Sequence, residues 1–266
     1  MTDHVLVSVE DGVMTLTFNR PDKKNAITDA MYGVLADGLE RAEADPAIRC
    51  VLFNSSSDAF TAGNDLMDFA AQNASGDTSR DATERPSGLQ RNVTRFLKGL
   101  ARAEKPLVAA VRGLGVGVGT TMLLHCDLVF VAPEAKLTTP FVGLALVPEA
   151  ASSLLLPQRI GHARAYAMFA LGEALGGEEA ERVGVAYRCL PKGEVEAAAK
   201  AAAVALTKRP IGALKVTKRL MRDAAKISEL MDIEGRHFGE RLQSAEAAEA
   251  FAAFFEKRPA DFSKVG

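Results

Sequence analysis

The sequence predicts an α/β fold built around a mainly parallel sheet, and three observations support this. Short, almost wholly apolar runs occur at residues 50–54, 106–111 and 127–132, as expected of strands buried on both faces. Polar or glycine-rich turns follow these runs, and segments with helical spacing follow the turns. Repetition of strand, turn and helix is typical of a parallel sheet whose faces are covered by helices.

The first 50 residues carry clear local signals. Residues 5–10 and 13–19 read as two strands, and Asp11-Gly12 between them is a strong two-residue hairpin turn. Thr28 or Asp29 then caps a helix that runs to Ala44, with apolar residues at helical spacing.

The chain as a whole is predicted to divide into an α/β core, residues 1–205, and a C-terminal helical oligomerisation region, residues 206–266. Residues 71–87 are polar and contain Gly76 and Pro86, which predicts a mobile surface loop. A fourth strand is predicted at 137–139. Helices are predicted at 89–102, 118–126, 163–171, 177–184, 194–207 and, with breaks, 210–255.

Composition narrows the classes of function. The 266 residues carry a net charge of −2, which argues against a nucleic-acid partner. The three cysteines are widely spaced with no CxxC pair, which argues against a disulfide framework and a zinc site. There is no signal-peptide pattern and no apolar run of about 20 residues, so we expect a cytoplasmic protein with no membrane partner and no bound metal.

The first stretch with chemical potential is residues 59–66, which follow a buried strand and open a helix. Ligands in open α/β sheets bind beyond the carboxyl ends of the strands. N–H groups at the start of a helix lack internal acceptors and favour negative charge. The N–H of Asn64 is therefore a candidate anion donor, and an ordinary capped turn is the alternative.

The second stretch is the glycine-rich segment 113–121. Gly115 and Gly117 would need a glycine at position 120 for the dinucleotide fingerprint, and Thr120 stands there; no GK[ST] sequence is present either. The alternating glycines indicate a close approach of the backbone to a ligand or to another chain segment.

The third stretch, residues 139–153, contains Glu149 among apolar and small residues. Two interpretations remain open from the sequence. In one, Glu149 is partly desolvated, which raises its pKa and makes it a better base near neutral pH. In the other, it is an exposed residue in the first turn of a helix, where the helix dipole favours it.

Together the motifs NRPDKKNAIT, DAFTAGNDL, KPLVAAVRGLGVGVGTTMLLHCDLVF and TPFVGLALVPEAASSLLLPQRIG resemble the crotonase family, also called the enoyl-CoA hydratase/isomerase family. The resemblance spans essentially the whole chain. It implies a spiral of ββα units with two sheets and a C-terminal helical trimerisation region. It further implies a homotrimer or a dimer of trimers. The implied substrate is an acyl-CoA, of which coenzyme A is a part, and no permanently bound cofactor is implied.

The resemblance also implies roles for individual residues. The N–H groups of Asn64 and Val118 would form the oxyanion hole for the thioester. Phe141 would line the acyl pocket. The coenzyme A site would be lined by Lys24, Ala26, Ala62, Asp65 and Leu66.

Two departures from the family pattern bear on the reaction. Hydratases of the family use two glutamates to activate water, and Thr121 and Phe141 occupy those two positions here. Glu149 in LVPEAASS instead resembles the single base of the peroxisomal-type Δ3-Δ2-enoyl-CoA isomerases. One carboxylate suffices for a 1,3-proton shift, because it can take a proton from C2 and return it to C4.

The sequence therefore favours an enoyl-CoA isomerase with Glu149 as its base. One alternative is a hydratase in which Glu149 alone activates water. Another, of a different class, is a non-catalytic acyl-CoA-binding or assembly subunit.

Overall fold

The structure, a computed structural model, describes residues 2–67 and 91–265. The predicted loop at 71–87 lies outside the described residues. The predicted hairpin is confirmed: β1 (Val5–Glu10) pairs with β2 (Val13–Phe18) in antiparallel register. Asp11 and Gly12 both take positive φ, 52° and 75°, as a tight hairpin turn requires.

The strands form two sheets. After β1 and β2 come β3 (Cys50–Ser55), β4 (Leu107–Val111), β5 (Leu114–Val116), β6 (Leu128–Val131), β7 (Lys136–Thr138), β8 (Leu175–Gly176) and β9 (Arg188–Cys189). A six-stranded sheet has the order β1-β2-β3-β4-β6-β9, and every neighbouring pair in it except β1 and β2 is parallel. A three-stranded sheet has the order β5-β7-β8.

The apolar character of β3 follows from burial of both faces of the larger sheet. Val51 and Phe53 point into the main core, whereas Cys50 and Leu52 belong to a second core. This second core is closed by alanines and Val195 of a C-terminal helix. Because alternate side chains face opposite cores, the four successive residues Cys50 to Phe53 are all apolar, which confirms the buried parallel strand.

The helices of the core are α1 (Asp29–Ala44), α2 (Arg91–Arg102), α3 (Val118–Thr121), α4 (Ser152–Ile160), α5 (His162–Tyr166), α6 (Gly177–Arg182) and α7 (Val195–Thr207). Thr28 caps α1 by accepting from the N–H of Met31. The predicted helix 118–126 is α-helical only as far as Thr121 and continues as the 3₁₀ turn Met122–His125. Helix α5 continues as a π-helical turn, Ala167–Leu171.

The predicted helical segment 210–255 consists of α8 (Ile211–Met221), α9 (Ala224–Leu242) and α10 (Ala245–Glu256). Helix α9 packs against α2 and contributes Ile227, Met231 and Phe238 to the main core. The C-terminal helices are thus joined to the α/β core by shared apolar packing. None of the helices in the described part of the chain is both long and apolar enough to cross a membrane.

Candidate active site

Two of the three stretches singled out above run side by side. The Thr61 N–H donates to the carbonyl of Leu114 (3.1 Å), and the Val116 N–H donates back to the carbonyl of Thr61 (3.0 Å). This parallel bridge pairs Thr61 with Gly115. Asn64 and Val118 each stand three residues beyond this bridge, one on each segment.

Glycine is required where the two segments touch. A Cβ at Gly63, whose φ is +83°, would lie 2.7 Å from the carbonyl oxygen of Val116. A Cβ at Gly119 would lie 2.6 Å from Cγ2 of Thr61. Real Cβ atoms do not approach so closely, so the glycines allow another chain segment to pack against the 113–121 stretch. The same contact aligns the backbone of the two segments.

Within the described residues, the N–H groups of Asn64 and Val118 donate to no acceptor, whereas those of Gly63, Asp65 and Gly117 do. The N–H of Gly63 donates to Oγ1 of Thr61 (3.0 Å), and that of Asp65 donates to the carbonyl of Ile27 (2.9 Å). Val118 opens α3, so its N–H has no acceptor within the helix. Two such backbone donors on facing segments can hold one oxyanion.

The loop before α1 is fastened to the same segment. The buried Asn25 side chain donates to the carbonyls of Ala59 (2.8 Å) and Phe60 (3.1 Å). The N–H of Ala62 donates to the carbonyl of Lys24 (2.9 Å). Lys24 and Ala62, both predicted to line a coenzyme A site, are therefore adjacent.

An ion pair between Asp65 and Arg20 joins the turn at Asn64 to the loop before α1. The Asp65 carboxylate lies 2.6 Å from the Arg20 guanidinium, and the same Arg20 nitrogen donates to the carbonyl of Ala26 (3.0 Å). Ala26, Asp65 and the adjacent Leu66 thus border the same turn as Asn64. Their contact with coenzyme A remains a prediction.

Glu149 is buried, with 4% of its surface exposed, so the interpretation as an exposed helix residue is wrong. Burial raises the pKa of its carboxyl from 4.5 to about 7. The Thr121 hydroxyl donates to Glu149 Oε1 at 2.7 Å and acts in the opposite direction, while the negative charge of Glu234 adds to the rise. A carboxyl with a pKa near 7 can both take and return a proton at neutral pH.

Tyr32 on α1 links the carboxylate to the turn at Asn64. Its hydroxyl donates to Asn64 Oδ1 at 2.5 Å and is buried. Burial, followed by the negative charges of Glu149 and Asp29, raises the pKa of Tyr32 well above 10. Because the Glu149 charge acts on this hydroxyl, the carboxylate and the Asn64 turn lie in the same neighbourhood.

Helix α3 makes a second link. Val118 supplies one free N–H at its first residue, and Thr121, one turn later, holds Glu149. One short helix therefore carries both the N–H predicted to bind an oxyanion and the hydrogen-bond partner of the carboxylate.

Phe141 is buried and packs against Phe169, with ring centroids 6.1 Å apart and planes tilted by 41°. At this position, where the hydratases carry a glutamate, the side chain is part of an apolar cluster. Its contact with an acyl chain remains a prediction.

The sequence patterns do not identify Tyr32 or Glu234 as site residues, although both interact electrostatically with Glu149. Glu234 lies on the face of α9 that buries Ile227, Met231 and Phe238. A carboxylate in the apolar stripe of an amphipathic helix is the signal that identifies it.

In the ranges 2–67 and 91–265, no group of three or more His, Cys, Asp or Glu side chains is arranged to hold a metal ion. All three cysteines are free thiols, with Cys50 and Cys126 buried.

Two backbone N–H donors that find no acceptor in the described residues, and a buried carboxyl with a pKa of about 7, are groups that an enzyme working through an enolate-type oxyanion would need. Comparison with known proteins agrees with this class. The family model described as "Enoyl-CoA hydratase/isomerase" matches residues 8–265. The chain belongs to this family, whose members act on acyl-CoA substrates and share the crotonase fold.

Individual relatives match over nearly the whole chain. The 1,2-epoxyphenylacetyl-CoA isomerase of Escherichia coli is 32% identical over 265 residues, 99% of each protein. The enoyl-CoA delta isomerase 2 of Rattus norvegicus is also 32% identical, over 96% of this chain and 64% of the rat protein. The crystal structure of an enoyl-CoA hydratase/isomerase from Pseudoalteromonas atlantica superimposes with a TM-score of 0.88 at 40% identity, covering 98% of this chain and 100% of that chain.

Proposed function

We propose that this protein is an enoyl-CoA isomerase that moves the double bond of a 3-enoyl-CoA to the 2-position. In this reaction Glu149 removes a proton from C2 and returns it to C4. The N–H groups of Asn64 and Val118 hold the thioester oxygen while it carries the negative charge of the dienolate.

The observation that carries the proposal is the hydrogen bond from the Thr121 hydroxyl to Glu149 Oε1, 2.7 Å long. Thr121 occupies the position of the first glutamate of the hydratases, and here its hydroxyl donates to Glu149. Phe141 occupies the position of the second glutamate and packs against Phe169. Neither side chain can act as a general acid or base. A reaction that needs one proton-transferring group fits this arrangement better than the addition of water by two carboxylates.

The environment of Glu149 suits a group that is alternately base and acid. A carboxyl with a pKa of about 7 is partly ionised at neutral pH and is more basic than an ordinary glutamate. Both properties are needed when the same group must accept a proton and then release it. Burial supplies them, since desolvation disfavours the charged carboxylate.

The oxyanion donors supply the other part of the catalysis. Each preorganised donor to a developing oxyanion typically contributes about 3 kcal/mol to lowering the barrier. The Asn64 and Val118 N–H groups are fixed by the paired backbone of their segments, so little reorganisation is needed when charge develops. Binding of coenzyme A along Lys24, Ala26, Ala62, Asp65 and Leu66, and assembly into a homotrimer or a dimer of trimers, form part of the same proposal.

Two relatives are named as isomerases, the bacterial 1,2-epoxyphenylacetyl-CoA isomerase and the rat enoyl-CoA delta isomerase 2, and this supports an isomerase. The family description also includes hydratases, so the test must distinguish the two reactions.

The test compares Glu149→Gln with Glu229→Gln, which replaces an exposed glutamate of α9. With a 3-enoyl-CoA, formation of the conjugated 2-enoyl thioester is followed by its absorbance. Loss of a general base typically costs about 10²–10⁴-fold in rate, and we expect that loss in Glu149→Gln but not in the control. A rate near wild type in Glu149→Gln would refute the proposed mechanism.

A parallel assay follows loss of the conjugated chromophore of a 2-enoyl-CoA. Hydration faster than isomerisation in the unaltered protein would identify a hydratase that uses Glu149 alone. Binding of acyl-CoA without turnover of any enoyl-CoA would identify the non-catalytic subunit. Either outcome would overturn the proposal that the protein is an isomerase.

A further inference from the structure

Glu234 reaches from α9 to the chain segment that directly follows Glu149. Its Oε2 accepts from the N–H of Ala151 at 2.6 Å. Its Oε1 accepts from the N–H of Ser153 at 3.0 Å and from the Ser153 hydroxyl at 2.5 Å. The carboxyl is buried, with 6% of the residue exposed.

The segment that Glu234 holds has an unusual backbone. Ala150 and Ala151 both adopt left-handed conformations, with φ of 60° and 56°, which L-residues other than glycine rarely take. Ala151 is also the N-cap of α4, and its side chain has no oxygen to accept from the free N–H groups of the first turn. The Glu234 carboxylate takes the place of a capping side chain from a helix 81 to 83 residues away in sequence.

We infer that Glu234 is a positioning residue for Glu149: by fixing the 150–153 turn through three hydrogen bonds, it sets where the Glu149 carboxylate points. This inference rests on the proposed role of Glu149 as the base. Glu234 itself faces the turn and not the oxyanion donors, so it acts through the residue that it orients.

The opposite side of the turn is held by His125. The Arg222 guanidinium donates to His125 Nδ1 at 2.8 Å, so Nδ1 is the acceptor and Nε2 carries the proton. Nε2 then donates to the carbonyl of Ala150 at 2.8 Å. Burial and the neighbouring Arg222 charge lower the pKa of His125 to about 3, which keeps this donor neutral across the working pH range. The turn after Glu149 is therefore held from two sides by side chains that do not transfer protons to the substrate.

Glu234 also influences Glu149 through its charge. Burial raises the pKa of Glu234 to about 7, while its three donors act in the opposite direction. Its negative charge in turn disfavours the ionised form of Glu149. In the described part of the chain, the titratable groups near Glu149 include Tyr32 of α1 and Lys98 of α2, which is ion-paired with Asp232 of α9 at 2.7 Å. Neutral His125 contacts the adjacent Ala150.

The first experiment measures kcat and KM of Glu234→Gln for a 3-enoyl-CoA across pH, with Glu229→Gln on the same helix as control. Gln places an amide N–H against the N–H donors of the turn, so the turn shifts. A misplacement of about 1 Å can cost about 10²-fold in rate, and we expect kcat to fall at least tenfold with KM little changed. The acid limb of kcat/KM should move to lower pH, because the like charge next to Glu149 is removed.

A purely structural role would lower stability without moving the acid limb. An unchanged kcat and an unmoved acid limb in folded Glu234→Gln would overturn the inference. If the same measurements show that Glu149→Gln is inactive, the proposed function stands although the inference fails.

A double variant tests whether Glu234 acts through Glu149. If it does, Glu149→Gln and Glu149→Gln/Glu234→Gln have the same residual rate, because the oriented group is already absent. If the fold-losses in rate of the two single variants multiply in the double variant, Glu234 acts independently of Glu149. That result would overturn the positioning role.

Ser153→Ala covers the case in which Glu234→Gln does not fold. It removes one of the three donors at an exposed residue and leaves both carboxylates in place. We expect a fall in kcat of two- to tenfold without a change in KM. An unchanged kcat in Ser153→Ala together with an unfolded Glu234→Gln would show that Glu234 serves folding alone.

Discussion

The Thr121 hydroxyl donates to the buried Glu149 carboxylate across 2.7 Å. The donor lies on α3, one turn after Val118, whose N–H is free within the described residues. In the proposed mechanism, proton transfer and oxyanion binding are thereby tied to one short helix. Thr121, which cannot itself act as a base, would then adjust the pKa of the proposed base.

The first prediction concerns this hydrogen bond. Thr121→Val keeps the shape of the side chain but removes the donor that stabilises ionised Glu149, so the pKa of Glu149 should rise further. Because the base must be ionised, the acid limb of kcat/KM should move to higher pH. Steady-state rates across pH measure this, and Thr121→Ser, which keeps the hydroxyl, should restore the profile. An acid limb in the same place for Thr121→Val and the wild type would contradict the assignment of Glu149 as the titrating group.

The second prediction concerns stability. The folded-state pKa of Glu149, about 7, lies above its ordinary value of 4.5, so the folded protein binds the proton more tightly than the unfolded chain. Stability from this group is present below the unfolded pKa and is lost as pH rises towards and through about 7. Glu149→Gln, which cannot ionise, should therefore gain free energy of unfolding relative to wild type, by about 2–3 kcal/mol more at about pH 8 than at about pH 5.

Urea unfolding of both proteins at the two pH values measures this difference. Glu229→Gln, at an exposed position of α9, is the control variant. A gain that is equal at both pH values would mean that the carboxyl of Glu149 titrates normally in the folded protein.

The third prediction concerns the contact between the two segments of the oxyanion site. Gly63→Ala places a Cβ 2.7 Å from the Val116 carbonyl at a positive φ, so the segments must separate. We expect a loss of at least about 2 kcal/mol in the free energy of unfolding and a large fall in kcat. The matched control is Gly193→Ala, where a Cβ would meet nothing within 4 Å and φ lies outside the left-handed region. Equal kcat in the two variants would argue against a role for this contact in aligning the donors.

The fourth prediction concerns Tyr32. Tyr32→Phe removes the donor to the half-buried Asn64 Oδ1, and loss of such a hydrogen bond typically costs about 0.5–1.5 kcal/mol of stability. We expect kcat to fall as well, because the turn that presents the Asn64 N–H loses its anchor on α1. Tyr166→Phe is the control, since Tyr166 is 62% exposed. Thermal unfolding and steady-state kinetics on both variants check the prediction. Full activity in a destabilised Tyr32→Phe would limit Tyr32 to a folding role.

Much of the fold is predictable from local pattern. The Asp11-Gly12 turn and the cap at Thr28 appear as predicted because turn and cap chemistry depend only on neighbouring residues. The strand β5 is not predicted, since Leu114–Val116 has a glycine at its centre and gains its strand partners only from residues 136–138 and Thr61. The helix predicted from Val118 to residue 126 is longer than the α-helix observed, because residues 122–125 form a 3₁₀ turn.

At the site, sequence patterns alone identify the stretches that carry the two proposed N–H donors and the candidate base. They also identify the apolar parallel strands that precede the first two of these stretches, because composition, spacing and periodicity are local properties. The burial of Glu149 and its proximity to Thr121, Tyr32 and Glu234 become visible only in the folded chain. Desolvation and hydrogen bonding depend on groups that packing brings together from distant parts of the sequence. Thr121 is 28 residues from Glu149, and the turn that follows Glu149 is held by a carboxylate more than 80 residues away.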